Sequence, residues 1–297
     1  MRVGETLAGA ARELAAGGVE SARVEAEWLV ASVLGLLDAP RAALFQARER
    51  ELSTAQARTL AALLLRRLAG EPVQYLVGRA WFRELALEVG RGVLIPRPET
   101  EVLAGEVLAW LAAPGGGGRA AAPRVFDLGT GSGCIALAVA AECPRARVVG
   151  GDLSPAALRY ARRNRARVEA GHPGTAARVA WLVADGFAAL RPGPVFDAVV
   201  SNPPYVDDAD LPGLQREVRD HEPAAALAGG RGGLAVLAAV VDGAAAFLRP
   251  GGLLALEVGE TQADNVTARI AERGAYGLAR VVADLAGRPR VVMAERL

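Results

Sequence analysis

The sequence predicts an α/β fold, in which a doubly wound, mostly parallel seven-stranded sheet follows a small helical bundle and a β-hairpin linker. Three observations lead to this fold. Apolar residues recur at helical spacing in the first part of the chain, period-two alternation then appears once, and afterwards short apolar strands alternate with helices. We expect a helical bundle over residues 1–78, a hairpin linker over 79–96 and a main domain over 97–297.

Length and composition indicate a globular protein of about two domains. The chain has 297 residues, of which 52% are hydrophobic. Its longest apolar run, residues 232–241, is much shorter than the ~20 residues that span a bilayer. Glu5, Arg12 and Glu13 lie where a signal peptide would be apolar. We therefore expect a soluble, cytoplasmic protein without membrane contacts.

The charged and metal-binding residues exclude several classes of function. The net charge of +1 gives no strong field for a nucleic-acid backbone, so we expect no direct nucleic-acid substrate. All 34 basic residues are arginines, which excludes a lysine Schiff base. Cys134 and Cys143 do not suggest a disulfide framework, and with only His172 and His221 besides them we predict no metal site.

The bundle is predicted from helical spacing over residues 7–14 and 24–34. Ser53 and Gln56 fit a capping box at the start of a further helix, which Gly70 and Pro72 close. No catalytic constellation is found here. Docking of a partner protein is the first interpretation of the bundle, and a merely stabilising cap is the alternative.

The linker is predicted from alternation over 85–89, a turn at 90–92 and resumed alternation at 93–95. Pro98 then suits the first position of a helix that runs to Ala113, and a glycine loop is predicted over 115–118. The seven strands of the main sheet are predicted at 124–128, 147–151, 179–184, 195–201, 252–258, 278–283 and 290–294. Ligands of such sheets bind at the carboxyl ends of the strands.

Three aspartates at successive strand ends predict a nucleoside pocket. Asp127 precedes a glycine turn with G-x-G-x-G spacing, which differs from the G-x-G-x-x-G of dinucleotide folds. Asp152 is placed to bind both ribose hydroxyls, and Asp185 to meet an adenine amine. Each aspartate alone could instead cap the next helix. The predicted cofactor-binding residues are Asp127, Gly129, Thr130, Gly131, Ser132, Gly133, Asp152, Asp185, Gly186 and Asn202.

The loop that follows the fourth strand of this sheet, Asn202-Pro203-Pro204-Tyr205, presents groups that match a planar NH2. The Asn202 side-chain oxygen and the Pro203 carbonyl can accept its two hydrogens, while the Tyr205 ring lies against its flat face. We predict Asn202, Pro203 and Tyr205 as catalytic, and all four residues as substrate-binding. A proline-rich turn with a satisfied asparagine is the alternative.

A nucleoside pocket beside a loop that holds an NH2 group favours S-adenosylmethionine as the cofactor. Its sulfonium methyl reacts by in-line displacement, which requires alignment and desolvation and no metal. Hydrogen bonds from the substrate N–H groups stabilise the positive charge that develops on the nitrogen.

These residues resemble the class I methyltransferases and, more closely, the release-factor glutamine N5-methyltransferases. The matching blocks occur in order. They are 71–75 (Glu-Pro-Val-Gln-Tyr), 93–101 (Val-Leu-Ile-Pro-Arg-Pro-Glu-Thr-Glu), 127–133, 202–205, 222–223, 226–227, Glu257 with Gln262, and 290–292. The first 70 residues match only as a helical bundle of the right size.

The resemblance implies methylation of the glutamine in the Gly-Gly-Gln motif of bacterial class I peptide chain release factors, 1 and 2, with S-adenosylmethionine as donor. It places the cofactor against residues 129–133, Asp152, the 185–186 turn and Asn202, and the glutamine amide against the 202–205 loop. Two departures occur. Gly232 replaces the family's usual aspartate, and Gly186 stands where an aromatic residue is common, with Phe187 after it.

Arg97, Glu99 and Glu257 are open between helix capping, structural ion pairing and catalysis. Three other functions also remain open. Asn-Pro-Pro-Tyr is shared with adenine N6-methyltransferases that act on DNA or RNA, although the near-neutral charge opposes a nucleic-acid substrate. A nicotinamide-linked oxidoreductase is opposed by the glycine spacing, and the third alternative is a non-catalytic adaptor.

Overall fold

The computed structural model describes residues 2–114 and 120–297, so the predicted glycine loop at 115–118 lies outside the described residues. The chain forms two compact units. The first comprises the chain up to Arg79 together with Gln215–His221, and the second comprises Ala80–Leu214 and Glu222–Leu297. The predicted domain boundaries at residues 78 and 96 stay predictions.

The first unit is helical over its described residues, as the apolar spacing predicts. Its elements are α1 (Val3–Ala16), α2 (Ala22–Leu34), α3 (Arg41–Gln46), α4 (Thr54–Leu68), α5 (Val73–Val77) and the later α9 (Arg216–His221). The predicted capping box at the start of α4 is present. The Gln56 amide donates to Ser53 Oγ at 3.2 Å, and the Ser53 amide donates to Gln56 Oε1 at 3.0 Å.

A buried arginine links three helices of this unit. Arg67 on α4 is 4% exposed and pairs with Glu25 on α2, which is also buried. Its Nη2 also donates to Glu217 Oε1 on α9 at 2.6 Å. The segment 215–221 thus belongs to the helical unit although it follows residue 214 of the other unit. The helical spacing of the first 78 residues contains no signal for this return of the chain.

A two-stranded hairpin follows, formed by β1 (Arg79–Phe82) and β2 (Leu85–Glu88). Its turn is at residues 83–84, so the predicted pairing across the 90–92 turn is wrong. Residues 93–95 form no strand, because their backbone is bound elsewhere: the Ile95 amide donates to Glu222 Oε2 at 3.1 Å. The side chain of Asn164 holds both the N–H and the C=O of Glu88.

The second unit has a seven-stranded sheet in its described residues, with strand order β5-β4-β3-β6-β7-β9-β8. All seven predicted strands are present. The strands are β3 (Arg124–Leu128), β4 (Arg147–Asp152), β5 (Val179–Val183), β6 (Phe196–Ser201), β7 (Leu248–Glu257), β8 (Arg280–Ala283) and β9 (Pro289–Glu295). Neighbours from β5 to β7 are parallel, and β9 is antiparallel to β7 and β8. The doubly wound, mostly parallel sheet is therefore confirmed.

Helices cover both faces of this sheet. They are α6 (Pro98–Ala112), α7 (Cys134–Glu142), α8 (Pro155–Gly171), α10 (Ala235–Ala244) and α11 (Ala263–Arg273). Successive residues of a strand point to opposite faces. Val125 of β3 accordingly packs in one core with α6 and α7, while Phe126 packs in the other with α10 and α11. None of the described helices is long and apolar enough to cross a membrane.

Replacing the buried arginine of the bundle tests this packing. Arg67→Ala leaves the buried Glu25 carboxylate without its counter-charge, and we expect a loss of about 3–5 kcal/mol in the free energy of unfolding. Urea unfolding followed by circular dichroism measures the loss. Arg58→Ala, at an exposed position of the same helix, serves as the control. Equal stability of the two variants would contradict this account of Arg67.

Candidate functional site

Three adjacent strands end at the same edge of the sheet and bring the predicted site segments together. Leu128 of β3 is in register with Gly151 of β4 and with Ser201 of β6. The Ser201 hydroxyl also donates to the Leu128 carbonyl at 2.7 Å. Parallel pairing therefore places the starts of the glycine loop, of the turn after β4 and of the 202–205 loop side by side.

The glycine loop, residues 129–133, is held by hydrogen bonds to the end of β4. The amides of Gly129 and Thr130 donate to the Gly151 carbonyl at 2.8 and 3.0 Å, and the Gly131 amide donates to Asp152 Oδ2 at 2.8 Å. Gly129 and Gly131 have φ of 74° and 57°, the left-handed region that favours glycine. A Cβ on either residue would meet its nearest neighbours at 3.9 Å, an ordinary van der Waals contact, so backbone conformation is what favours glycine here.

Asp127 lies below this loop and is fully buried. Its Oδ2 accepts hydrogen bonds from the Thr130 hydroxyl at 2.5 Å and the Ala136 amide at 3.1 Å. Burial raises the pKa of Asp127 to about 7, while these two donors oppose the shift. Thr130 and Ser132 are buried too, at 3% and 2% exposure. Asp127 therefore braces the loop from within.

Asp152 and Asp185 differ in their surroundings. Asp152 is half-buried, and its Oδ1 accepts from the Ser154 amide at 2.8 Å, so it supports both the glycine loop and the start of α8. Burial raises its pKa, and hydrogen bonds from Ser154 and Gly131 lower it. Asp185 is exposed and lies two residues beyond the end of β5. A turn follows Asp185, so helix capping does not explain this residue.

The aromatic residue after Gly186 packs against the core of the second unit. The Phe187 ring stacks on Phe247 with centroids 4.8 Å apart, inside the core that α10 covers. An apolar side chain that the sequence reasoning missed lies instead directly after Asp152. Leu153 is 63% exposed although it is large and apolar. The sequence signal for Leu153 was its position between Asp152, at the end of a strand, and Ser154, at the cap of the next helix.

The 202–205 loop is tied to the first turn of α6. The Asn202 Nδ2 donates to the Thr100 hydroxyl oxygen at 2.9 Å, and Thr100 is 1% exposed. Asn202 Oδ1 makes no hydrogen bond with the described part of the chain. A Cβ on Gly129 would lie 3.9 Å from the Asn202 carbonyl oxygen, so this loop and the glycine loop are neighbours. Asn202 thus has its NH2 side bound to Thr100, while its side-chain oxygen has no partner among the described residues.

Tyr205 is held at both its ends. Its hydroxyl donates to Glu257 Oε1 at 3.2 Å, and its carbonyl accepts from Gln262 Nε2 at 2.8 Å. A Cβ on Gly233 would lie 1.9 Å from the same carbonyl, so only glycine fits there. The neighbouring departure from the family pattern, Gly232, has φ 67° and offers its carbonyl to Gln262 at 3.1 Å.

Glu257 ends β7 with no solvent exposure. Burial raises its pKa to about 7, and hydrogen bonding from Thr100 and then Tyr205 opposes the shift. Thr100 is thus close enough to lower the pKa of this carboxyl group, whereas Oε2 has no hydrogen-bond partner among the described residues. Asn202 and Tyr205 are thus both connected to one buried carboxyl group.

The remaining residues of the 93–101 block have structural partners. Arg97 precedes α6, and its Nη2 lies 2.5 Å from Glu222 Oε1. The same Glu222, whose side chain is 1% exposed, accepts from the Ile95 amide. Glu99 lies 3.9 Å from Arg288. Ion pairing therefore accounts for Arg97, and the block fixes the start of α6, from which Thr100 reaches Asn202.

Comparison with known proteins assigns the family. A model described as the PrmC N-terminal domain matches residues 5–78, and one described as the methyltransferase small domain matches residues 118–217. The release factor glutamine methyltransferase of Moorella thermoacetica is 44% identical over 296 residues, which cover 100% of this chain and 99% of the relative. The chain belongs to the release factor glutamine methyltransferase family.

Two further proteins of this family are similar to the chain in sequence. The release factor glutamine methyltransferase of Koribacter versatilis is 38% identical over 100% of this chain and 99% of its own length. The crystal structure of the release factor-specific protein-(glutamine-N5) methyltransferase from Alicyclobacillus acidocaldarius has 31% identity and a TM-score of 0.37, covering 70% of this chain and 98% of the other. The predicted resemblance is confirmed, and the chain is a methyltransferase. The roles of its individual site residues stay predictions.

The buried Glu257 predicts a pH dependence of stability. Its pKa is about 7 in the folded protein and ordinarily 4.5, so the folded state binds a proton more tightly than the unfolded state. This contribution to stability is complete below pH 4.5 and is lost as the pH rises through 7. The loss is on the order of 3 kcal/mol, from about 1.4 kcal/mol per unit of pKa.

Urea unfolding between pH 4.5 and 8.5 measures this loss. Glu257→Gln should reduce the fall in the free energy of unfolding between these pH values. Tyr205→Phe removes a hydrogen bond that favours the ionised form, so its steep region should move to higher pH. A wild-type curve whose slope is unchanged by Glu257→Gln would show that this carboxyl group does not titrate as described.

Proposed function

We propose that the chain transfers a methyl group from S-adenosylmethionine to the side-chain amide nitrogen (N5) of the glutamine in the Gly-Gly-Gln motif of bacterial class I peptide chain release factors. The observation that carries this proposal is the fixed amide of Asn202 beside the glycine loop. The relatives support the substrate, because their name states that they methylate glutamine in release factors. Release factors 1 and 2 are the expected substrates, which places the reaction in the cytoplasm.

The residues present fit an adenosyl cofactor. Gly129 and Gly131 carry no side chains, so a ligand can approach the loop backbone closely. Asp152 is half-buried, and each of its carboxylate oxygens has one bound amide and further lone pairs for ribose hydroxyls. Leu153 offers an exposed apolar surface for a flat base, and Asp185 an exposed carboxylate for an adenine amine. When bound, S-adenosylmethionine supplies a methyl group on a positively charged sulfur.

The chain's own residues orient the amide nitrogen. An amide nitrogen is a weak nucleophile because its lone pair is delocalised into the carbonyl group. Asn202 Oδ1 and the Pro203 carbonyl accept its two N–H groups, and these acceptors stabilise the positive charge that grows on nitrogen. Two prolines stiffen the loop, so the loop loses little conformational freedom when the glutamine binds. The Tyr205 ring, fixed at its hydroxyl and its carbonyl, covers the amide plane.

The helical unit carries a groove suited to a protein partner. The groove has a volume of about 470 Å³. Its lining includes the apolar residues Val3, Leu7 and Leu44 and four charged residues, and the Phe45 side chain, which also lines it, is 68% exposed. Large exposed apolar surfaces commonly mark protein interaction sites. We propose that this groove docks the release factor, so that the glutamine is delivered by a protein surface that the methyltransferase recognises.

Substitution of Asn202 tests the proposed reaction. Mass spectrometry of a release factor incubated with the enzyme and S-adenosylmethionine should show one added methyl group on the Gly-Gly-Gln glutamine. Asn202→Ala should reduce turnover about 100-fold or more, the scale of removing one preorganised polar group, with cofactor affinity largely kept. Asn265→Ala, at an exposed position on α11, should leave turnover unchanged. Full turnover by Asn202→Ala would refute the assignment.

Substitution in the groove tests docking separately. Phe45→Ala should raise KM for the intact release factor by about tenfold, the scale of losing one aromatic interface anchor. It should not change KM for a short Gly-Gly-Gln peptide. Leu65→Ala removes a side chain of similar exposure that does not line the groove, and is the matched control. An equal rise for the protein and the peptide would contradict docking at this groove.

A further inference from the structure

A buried chain of polar groups runs from the substrate loop to the interior. Asn202 Nδ2 donates to the Thr100 hydroxyl oxygen at 2.9 Å, and hydrogen bonding from Thr100 lowers the pKa of Glu257. The Tyr205 hydroxyl donates to Glu257 Oε1 at 3.2 Å. Thr100 is 1% exposed and Glu257 is not exposed at all, so water does not compete for these hydrogen bonds. The substrate-facing residues Asn202 and Tyr205 therefore share one carboxyl group.

We propose that Glu257 is a positioning residue, which never touches the substrate but fixes the direction in which the Asn202 amide faces. An ionised carboxylate only accepts hydrogen bonds, so Thr100 must donate to it. The Thr100 oxygen can then act only as an acceptor for Asn202, so the Asn202 NH2 group turns toward it. The Asn202 side-chain oxygen is left to accept a hydrogen bond from the glutamine NH2. This inference rests on the proposed function and assigns a role to a residue behind that site.

The direction matters because the two faces of an asparagine amide have almost the same shape but opposite polarity. In the reversed orientation, Asn202 would present its own NH2 to the NH2 of the glutamine. Two donors would then face each other, and the acceptor that stabilises positive charge on nitrogen would be lost. A threonine hydroxyl alone does not prevent this reversal, because it can donate as well as accept. The carboxylate behind it removes that freedom.

Charged and titratable groups around Glu257 oppose one another. Arg290 on β9 favours the ionised form, and Glu99 on α6 disfavours it. The charge of Glu257 also raises the pKa of Cys134 on α7, and the charge of Arg97 lowers the pKa of Tyr205. Burial outweighs the stabilising contacts, so the carboxyl group exchanges its proton close to neutral pH. When the pH falls below neutrality, Glu257 gains a proton and can donate to Thr100. The hydrogen bonds from Asn202 to Thr100 and from Thr100 to Glu257 are then expected to lose their fixed direction.

The experiment measures glutamine methylation by the full chain as a function of pH, with an intact release factor and S-adenosylmethionine. Glu257→Gln keeps the size of the side chain but can donate to Thr100, which removes the direction. We expect kcat to fall about 10- to 100-fold, the scale seen for groups that orient a ligand from behind. KM for the release factor and Kd for S-adenosylmethionine should stay within about twofold, because no group that binds either molecule is removed. The acid limb of the wild-type kcat profile near pH 7 should disappear in the variant.

A second pair of variants keeps the test decisive if Glu257→Gln folds poorly. Thr100→Ser keeps the hydroxyl and should retain kcat within about threefold, whereas Thr100→Val should lose as much as Glu257→Gln does. Combining Thr100→Val with Glu257→Gln should lower kcat little further, since both substitutions interrupt the same series of hydrogen bonds. Because Thr100→Val also leaves the Asn202 NH2 group without its acceptor, urea unfolding of each variant separates a loss of direction from a loss of stability.

The outcomes separate this inference from the proposed function. Absence of methyl transfer to the glutamine by the wild-type enzyme would overturn both. An active wild-type enzyme with an unchanged kcat and pH profile in Glu257→Gln would overturn the positioning role alone. Equal activity of Thr100→Ser and Thr100→Val would do the same.

Discussion

The hydrogen bond from Asn202 to Thr100 is the contact on which the candidate site depends. Both groups are small and uncharged, yet they join the loop after β6 to the first turn of α6. Thr100 is buried, so leaving either group without a partner would cost about 1–3 kcal/mol. That penalty holds the asparagine in place before any substrate arrives. The positioning of the glutamine amide is therefore built into the folded protein.

Two buried carboxyl groups of the second unit lie at the same edge of the sheet as this contact. Asp127 and Glu257 are buried carboxyl groups, each raised to a pKa of about 7 by loss of solvent. Asp127 braces the glycine loop, while Glu257 lies behind Asn202 and Tyr205. Buried carboxyl groups lower stability unless they are well paired, and native proteins tolerate them where they hold a site in place. Both carboxyl groups lie at the ends of strands, β3 and β7, so both destabilising groups are at the edge of the sheet where ligands bind.

Much of the fold follows from the sequence because its signals are local. Alternation of strands and helices, the capping box at Ser53 and the proline at position 98 are each fixed by neighbouring residues, and the structure contains all of them. Features that arise from distant contacts were not predicted. The helix at 216–221 belongs to the first unit through Arg67, and Ile95 is withdrawn from strand pairing by Glu222, 127 residues later.

The candidate site shows the same division. Glycines, strand-end aspartates and the 202–205 loop stand out by spacing and residue type. Thr100 does not, because a threonine in a first helical turn is unremarkable until its tertiary partner is known. Glu257 remained open for the same reason. Leu153 and Phe187 show the limit for apolar residues: sequence alone does not reveal that the first is exposed and the second is stacked in the core.

The most direct measurement is a crystal structure of the chain with S-adenosylhomocysteine and a Gly-Gly-Gln peptide. Our account predicts Asn202 Oδ1 and the Pro203 carbonyl oxygen within ~3 Å of the glutamine amide nitrogen, with Asn202 Nδ2 still bound to Thr100. It also predicts that this nitrogen points toward the sulfur of the cofactor product. A peptide bound away from the 202–205 loop, or an Asn202 whose oxygen faces Thr100, would contradict the account.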